Sequence, residues 1–143
     1  MKKILEKVSE KVAELNQPYR LEWRYAPQES DEPADPPNAT YDPSWPIWTT
    51  KPPFPLRPWK KCWFYTDFEA PAEHCGLKLG EKDLLLKVWG WFPFTLWIDG
   101  KELFKEEHVW KGTGPIADPV VMNPGKYRLV LCVEPGQLPN IWP

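Results

Sequence analysis

Proline sets the first limit on what this chain can become. Of its 143 residues 19 are proline, more than twice the usual share of about 5%, and ten of them fall between residues 26 and 58. Such density often marks disorder, but disordered segments are poor in aromatics. Here Trp, Phe and Tyr make up 15% of the chain, and ten residues are Trp. Aromatic side chains in that number bury enough surface to order a domain. The first part of the stretch, "APQESDEPADPPNA", is acidic and linker-like. The second, "YDPSWPIWTTKPPFPLRPW", alternates proline with Trp, Phe, Leu and Ile. It is expected to lie as extended, irregular chain on the domain surface; burial accounts for its aromatics better than a PxxP-type ligand role does.

The remaining composition narrows the function. The length suits one ordinary domain, able to bury a core without disulfides. Eighteen basic residues against 20 acidic ones leave a net charge of −2, which gives no steering field toward nucleic acid or an anionic membrane surface. Three widely spaced cysteines, Cys62, Cys75 and Cys132, form no CxxC pair and suggest reduced thiols rather than a disulfide framework. The start "MKKILEKVSEKV" is basic, but Glu6, Lys7, Glu10 and Lys11 interrupt any apolar run. No signal peptide or membrane span is read, and the expected location is cytoplasmic.

Along the chain, Ile4, Leu5, Val8, Val12 and Leu15 recur near a 3.6-residue period. They predict an amphipathic helix within residues 1–17, packing on its own domain or on a partner. Residues 18–143 are expected to form one β-sandwich domain that includes the irregular segment 26–58. "YRLEWRY" (19–25) alternates, with Tyr19, Leu21, Trp23 and Tyr25 on one face. "KCWFYTDFEAP" does too, with Cys62, Phe64, Thr66 and Phe68 on one side and Trp63, Tyr65, Asp67 and Glu69 on the other. "DLLLKVWGW" is a continuous apolar run, as in a strand covered on both faces. "NPGKYRLVLCVEPG" supplies a last strand, opened by what reads as a type II turn. In "TLWIDGKELF" (95–104), Asp99-Gly100 sits between apolar alternations. That is the signature of a type I′ hairpin, so Asp99 is expected to be a turn residue and not a catalytic acid. Short strands with turn signals and no recurring helix predict an all-β sandwich or jelly roll.

Catalytic patterns are sought without success. No pair of carboxylates is singled out as glycoside hydrolysis would need. The histidines are His74 and His108. His74 adjoins Cys75 in "PAEHCG", which reads as loop, with a solvent-facing His beside a packed Cys. Neither histidine, with Glu73, Glu106 or Glu107, matches a metal-ligand spacing, and no cofactor is expected. "KGTGP" (111–115) lacks the strand–loop–helix context of a phosphate loop. The tryptophans offer stacking surfaces. Trp45, Trp48, Trp89, Trp91 and Trp110 lie in or beside loops and are the candidate sugar contacts, against the plainer reading that most tryptophans are core or loop staples.

Three stretches resemble a known pattern. "WFYTDFEAPAE" (63–73) resembles the "W-[FY]-R-x-x-F-x-[VI]-P" strand of galactose-binding-like jelly-roll domains in glycoside hydrolases. "LLLKVWGWFPFTLWIDGKELF" (84–104) is similar to their "[WY]-[VL]-[ND]-G-K" hairpin, and "VVMNPGKYRLVLCVEPG" (120–136) to their closing strand. The leading helix, "YRLEWRY" and "RPWKKCWFYTDFEAP" look like the N-terminal region of family 38 α-mannosidases. Tyr127 stands where the closing strand of that pattern carries asparagine, and the proline-rich segment is longer. The resemblance implies a jelly-roll β-sandwich that precedes a zinc-dependent catalytic barrel. None of the barrel's His and Asp ligand motifs is present, so no catalytic residue carries over. The apolar ending "LPNIWP" suits a domain cut from a longer polypeptide. The expected function is a non-catalytic accessory domain whose partner is the catalytic domain of the same polypeptide. The alternatives are a stand-alone carbohydrate-binding module with a Trp platform and a structural domain that forms a homo-oligomer.

Overall fold

The computed structural model describes residues 2–15, 21–26, 38, 42–49, 60–80, 84–87, 92–107 and 120–136. It is built largely of antiparallel strands preceded by one helix, α1 (Lys2–Leu15). The strands are β1 (Arg24–Tyr25), β2 (Cys62–Ala70), β3 (Glu73–His74), β4 (Leu77–Lys78), β5 (Leu85–Leu86), β6 (Phe94–Ile98), β7 (Lys101–Glu106), β8 (Val120–Val121) and β9 (Gly125–Val133). Five make one sheet in the order β1-β2-β9-β6-β7, and β3-β4 and β5-β8 make two small ribbons. The all-β expectation with one N-terminal helix therefore holds.

The sheet centre is the long pairing of β2 with β9, in register from Cys62–Val133 to Ala70–Gly125. On the other side of β9, β6 pairs from Phe94–Val133 to Ile98–Leu129. Because side chains alternate along a strand and register partners share a face, these registers fix two surfaces. One carries Phe64, Phe94, Leu96 and Leu129. Leu21, Trp23 and, from the β5–β8 ribbon, Leu86 pack onto its cluster, so the ribbon forms a partial second layer here. The other carries Trp63, Tyr65, Val130 and Cys132, with Trp45, Trp97 and Ala26 packed against them. We call these the ribbon face and the tryptophan face.

The parity expected for β2 is the parity observed. Its consequence is larger than alternation alone implies, since all five residues from Cys62 to Thr66 are buried and the strand is covered on both sides. "DLLLKVWGW" behaves differently. Among its described residues, 84–87, Leu85–Leu86 form strand, and Leu85 is 43% exposed, as is its partner Val121. The ribbon is thus covered on one face at this pair, against the two-sided expectation; residues 88–91 lie outside the described residues. In "YRLEWRY", among the described residues 21–25, Arg24–Tyr25 pair as strand, and Leu21 and Trp23 reach the ribbon-face cluster.

Two turns also depart from expectation. Gly125 opens β9 opposite Ala70 with φ +150, far from the value near +80 that a type II turn requires at its third residue. "PAEHCG" is no loop. Cys75 and Gly76, with φ +50 and +78, are the central pair of a tight hairpin joining β3 to β4. The left-handed geometry matches a type I′ turn, formed with a cysteine where Asn or Asp is usual.

Part of the proline-rich segment is ordered by the sheet edge. Asp42-Pro43-Ser44-Trp45 is a turn, closed by the Trp45 amide donating to the Asp42 carbonyl at 3.0 Å, with the Ser44 amide donating to Asp42 Oδ1 at 2.8 Å. The chain then runs antiparallel to β1. The Tyr25 amide donates to the Pro46 carbonyl (3.1 Å), the Trp48 amide to the Trp23 carbonyl (2.7 Å), and Arg24 bridges to Ile47. Proline is tolerated here because it lies on the outermost strand. Residues 46–49, after this turn, run as extended chain on the domain surface.

Candidate functional site

Asp99 is held by the backbone. With φ +48 at Asp99 and +79 at Gly100, the turn is the expected type I′ hairpin between β6 and β7. The Asp99 amide donates to the Arg128 carbonyl at 2.9 Å, and Asp99 Oδ1 accepts from the Arg128 amide at 2.8 Å. The carboxylate thus extends the β6–β9 ladder by one step, using a side chain where the backbone turns away. A Cβ at Gly100 would meet only the mobile end of the exposed Asn38 side chain, so it is the positive φ that favours glycine there. On β7 the register passes from Leu96–Phe104 to Trp97–Glu102, leaving Leu103 as a bulge.

His74 and Cys75 do come together, through the hairpin that sequence reading missed. Cys75 Sγ lies 3.5 Å from His74 Nε2, and α1 approaches the same turn. Lys11 Nζ donates to the Cys75 carbonyl at 3.0 Å and to Glu14 Oε2 at 3.1 Å. Burial pushes the Cys75 thiol above its ordinary pKa, and its hydrogen bond to the Glu14 carboxylate pushes it the same way. A nucleophilic or metal-binding cysteine needs the opposite shift. Among the described residues no cluster of His, Cys, Asp and Glu could hold a metal. None of the three cysteines is in a disulfide. Cys75 is therefore expected to react with iodoacetamide more slowly than a small-molecule thiol at pH 8, and to accelerate only at higher pH; faster reaction would show an activated thiol. The Lys11 hydrogen bond holds Glu14 below the usual carboxylate range. The stability this contact contributes is present above the ordinary carboxylate pKa and is lost as pH falls through the lowered folded value.

Trp45 and Trp48, the two candidate tryptophans among the described residues, pack on different faces of the sheet. Trp45 packs on Tyr65, ring centroids 5.5 Å apart, and Trp48 packs edge-on to Phe64 at 5.7 Å. Tyr65 and Phe64 are neighbours on β2 and point to opposite faces. Trp45 and Trp48 therefore straddle the sheet edge, Trp45 half-buried and Trp48 42% exposed. Trp89, Trp91 and Trp110, together with His108 and the 111–115 glycine stretch, lie outside the described residues.

A tryptophan not among those candidates is better placed. Trp97, half-buried on β6, stacks on Trp63 with centroids 5.7 Å apart and rings inclined by 30°. Trp63 is only 7% exposed, and its Nε1–H is buried with no acceptor among the described residues, a deficit of about 1–3 kcal/mol. The same sheet face turns polar next to Trp97. Glu102 is its register partner on β7. On β9, Arg128 lies two residues from Val130, the partner of Trp97. Arg128 binds Asp67 directly across the β2–β9 pair, with Nε–Oδ1 at 2.8 Å and Nη2–Oδ2 at 3.0 Å. The signal for Trp97 was present in the sequence: if Leu96 and Ile98 face the core, Thr95, Trp97 and Asp99 share the opposite face.

No described helix is long and apolar enough to cross a membrane. Comparison of the chain with protein-family models, with curated proteins and with solved structures yields no match.

Proposed function

We propose that the chain is a non-catalytic accessory domain of a glycoside hydrolase, α-mannosidase-like, with a jelly-roll β-sandwich that packs on the catalytic domain of the same polypeptide. The observation that carries this reading is the orientation of α1. A surface helix ordinarily buries its apolar stripe and exposes its charges. This one meets the β3–β4 turn through the charged side chains of Lys11 and Glu14. Its stripe stays open, with Ile4 66%, Leu5 64%, Val8 54% and Val12 50% exposed. A contiguous apolar row of that kind is a surface for another folded unit. The two-layer arrangement of sheet and ribbon is compatible with the sandwich, and the three strand motifs supply the likeness to glycosidase domains.

Two measurements test the reading. An antibody to the domain should detect a native product well above the 16.8 kDa of this chain; a product of that mass removes the catalytic partner. Turnover of an aryl α-mannoside by the pure 143-residue protein would sink the non-catalytic assignment. The helix gives a third. Val8→Glu is expected to change the stability of the isolated chain by no more than about 0.5 kcal/mol, as an exposed position should. A denaturant melt showing a loss of several kcal/mol would mean that the stripe is already buried on its own domain. The same exposed row suits the alternative of self-association, for which wild-type chain would sediment as an oligomer and Val8→Glu as a monomer.

A further inference from the structure

We infer that the tryptophan face is a binding site for a single pyranose ring, centred on Trp97 and bordered by Glu102, Arg128 and Asp67. This goes beyond the accessory-domain reading: it takes up the sugar-contact role expected of the tryptophans and gives it a place and a set of contacts. A pyranose presents an apolar C–H face and a rim of hydroxyls, so its site needs a flat apolar surface with donors and acceptors beside it. Trp97 supplies the surface. Its ring is backed by Trp63, which fixes its tilt before a ligand arrives.

The polar groups stand at the right spacing. Glu102 is directly opposite Trp97 on β7, which places the two Cβ atoms about 5 Å apart. Arg128 lies on the other side, one same-face step along β9 from Val130, a diagonal of about 7–8 Å. The carboxylates accept from sugar hydroxyls and the guanidinium donates to them. Asp67 and Arg128 already order each other through two hydrogen bonds, and their side chains remain 51% and 34% exposed. A ligand bridging them therefore meets groups whose ordering cost is largely met. The mixed charge of the face disfavours phosphorylated or polyanionic ligands and suits a neutral polyol.

The test is a titration of the 143-residue protein with methyl α-mannopyranoside, methyl α-galactopyranoside and methyl α-glucopyranoside, read by tryptophan fluorescence and by the NMR signals of the indole N–H groups. The expected result is a saturable shift of the Trp97 signal with one of the three. Trp97→Ala should weaken that binding at least tenfold, and Glu102→Gln severalfold, with the melting temperature of Glu102→Gln unchanged. If Trp97→Ala fails to fold, Trp97→Phe replaces it, with a partial loss expected. Undiminished binding in the Trp97 and Glu102 variants would overturn the site and leave sugar contact to other tryptophans. No saturable change with any of the three glycosides would overturn the site as well. Neither result touches the packing role of the domain, which the native mass and the helix variant decide separately.

Discussion

Asp99→Ala is expected to destabilise the domain by about 2–3 kcal/mol, and Asp99→Asn by less than about 1 kcal/mol. Two losses add in the alanine variant. Removing the carboxylate leaves the Arg128 amide without the acceptor at 2.8 Å in an exposed contact, which takes the lower end, about 1.5 kcal/mol, of the range for hydrogen bonds to charged groups. The backbone is also left-handed, with φ +48, a conformation that Asn and Asp tolerate and alanine adopts at a cost of roughly 1 kcal/mol. Asparagine keeps both the acceptor oxygen and the tolerance for positive φ. A denaturant titration of the two variants reads the difference directly. A catalytic carboxylate would give the reverse pattern, with asparagine abolishing activity while folding normally. Equal and small losses in both variants would mean that the hydrogen bond to β9 does not form.

That hairpin was legible because its chemistry is local. Two residues with a special backbone demand, flanked by alternating apolar residues, carry the whole signal. The Cys75–Gly76 hairpin has the same geometry and went unread, because cysteine is not a residue that advertises positive φ. Placement across the sheet is a different kind of information. Alternation in β2 gave the two sides of the strand, yet it could not show that β9 and β6 would complete two buried surfaces. Trp45 and Trp48 part on a point that parity does reveal. In extended chain an odd separation of three sends the two rings to opposite sides, as their packing on Tyr65 and Phe64 shows. Trp97 was passed over because it lies inside a strand, where a large aromatic reads as core. Its stacking on Trp63 and its pairing with Glu102 come from β2 and β7, neither of which is written in residues 94–98. The helix shows the same division: its stripe follows from spacing, but which surface the stripe meets depends on what stands beside the β3–β4 turn.

Leu129→Ala is expected to cost about 2–5 kcal/mol and Val130→Ala roughly 2 kcal/mol, and it is the pair that carries the argument. The two are adjacent on β9, both fully buried, and they point to opposite faces. Leu129 belongs to the cluster of Phe94 and Leu96 on the ribbon face. Val130 lies between Tyr65 and Trp97 on the tryptophan face. Truncating a buried leucine removes its transfer free energy and leaves a cavity, with a cost of about 2–5 kcal/mol. The smaller valine loses two methyl groups, at about 0.8 kcal/mol each before any cavity contribution. A sheet with one solvated side would show a large loss at one position and almost none at the next. Losses at both, measured by chemical denaturation, establish a sheet covered on each face and so give the tryptophan face a stabilising role of its own. A Val130→Ala variant as stable as wild type would mean that this face is open to water beside Trp97. The sheet would then present a broader surface to a ligand, and the stability of the domain would rest on the ribbon face alone.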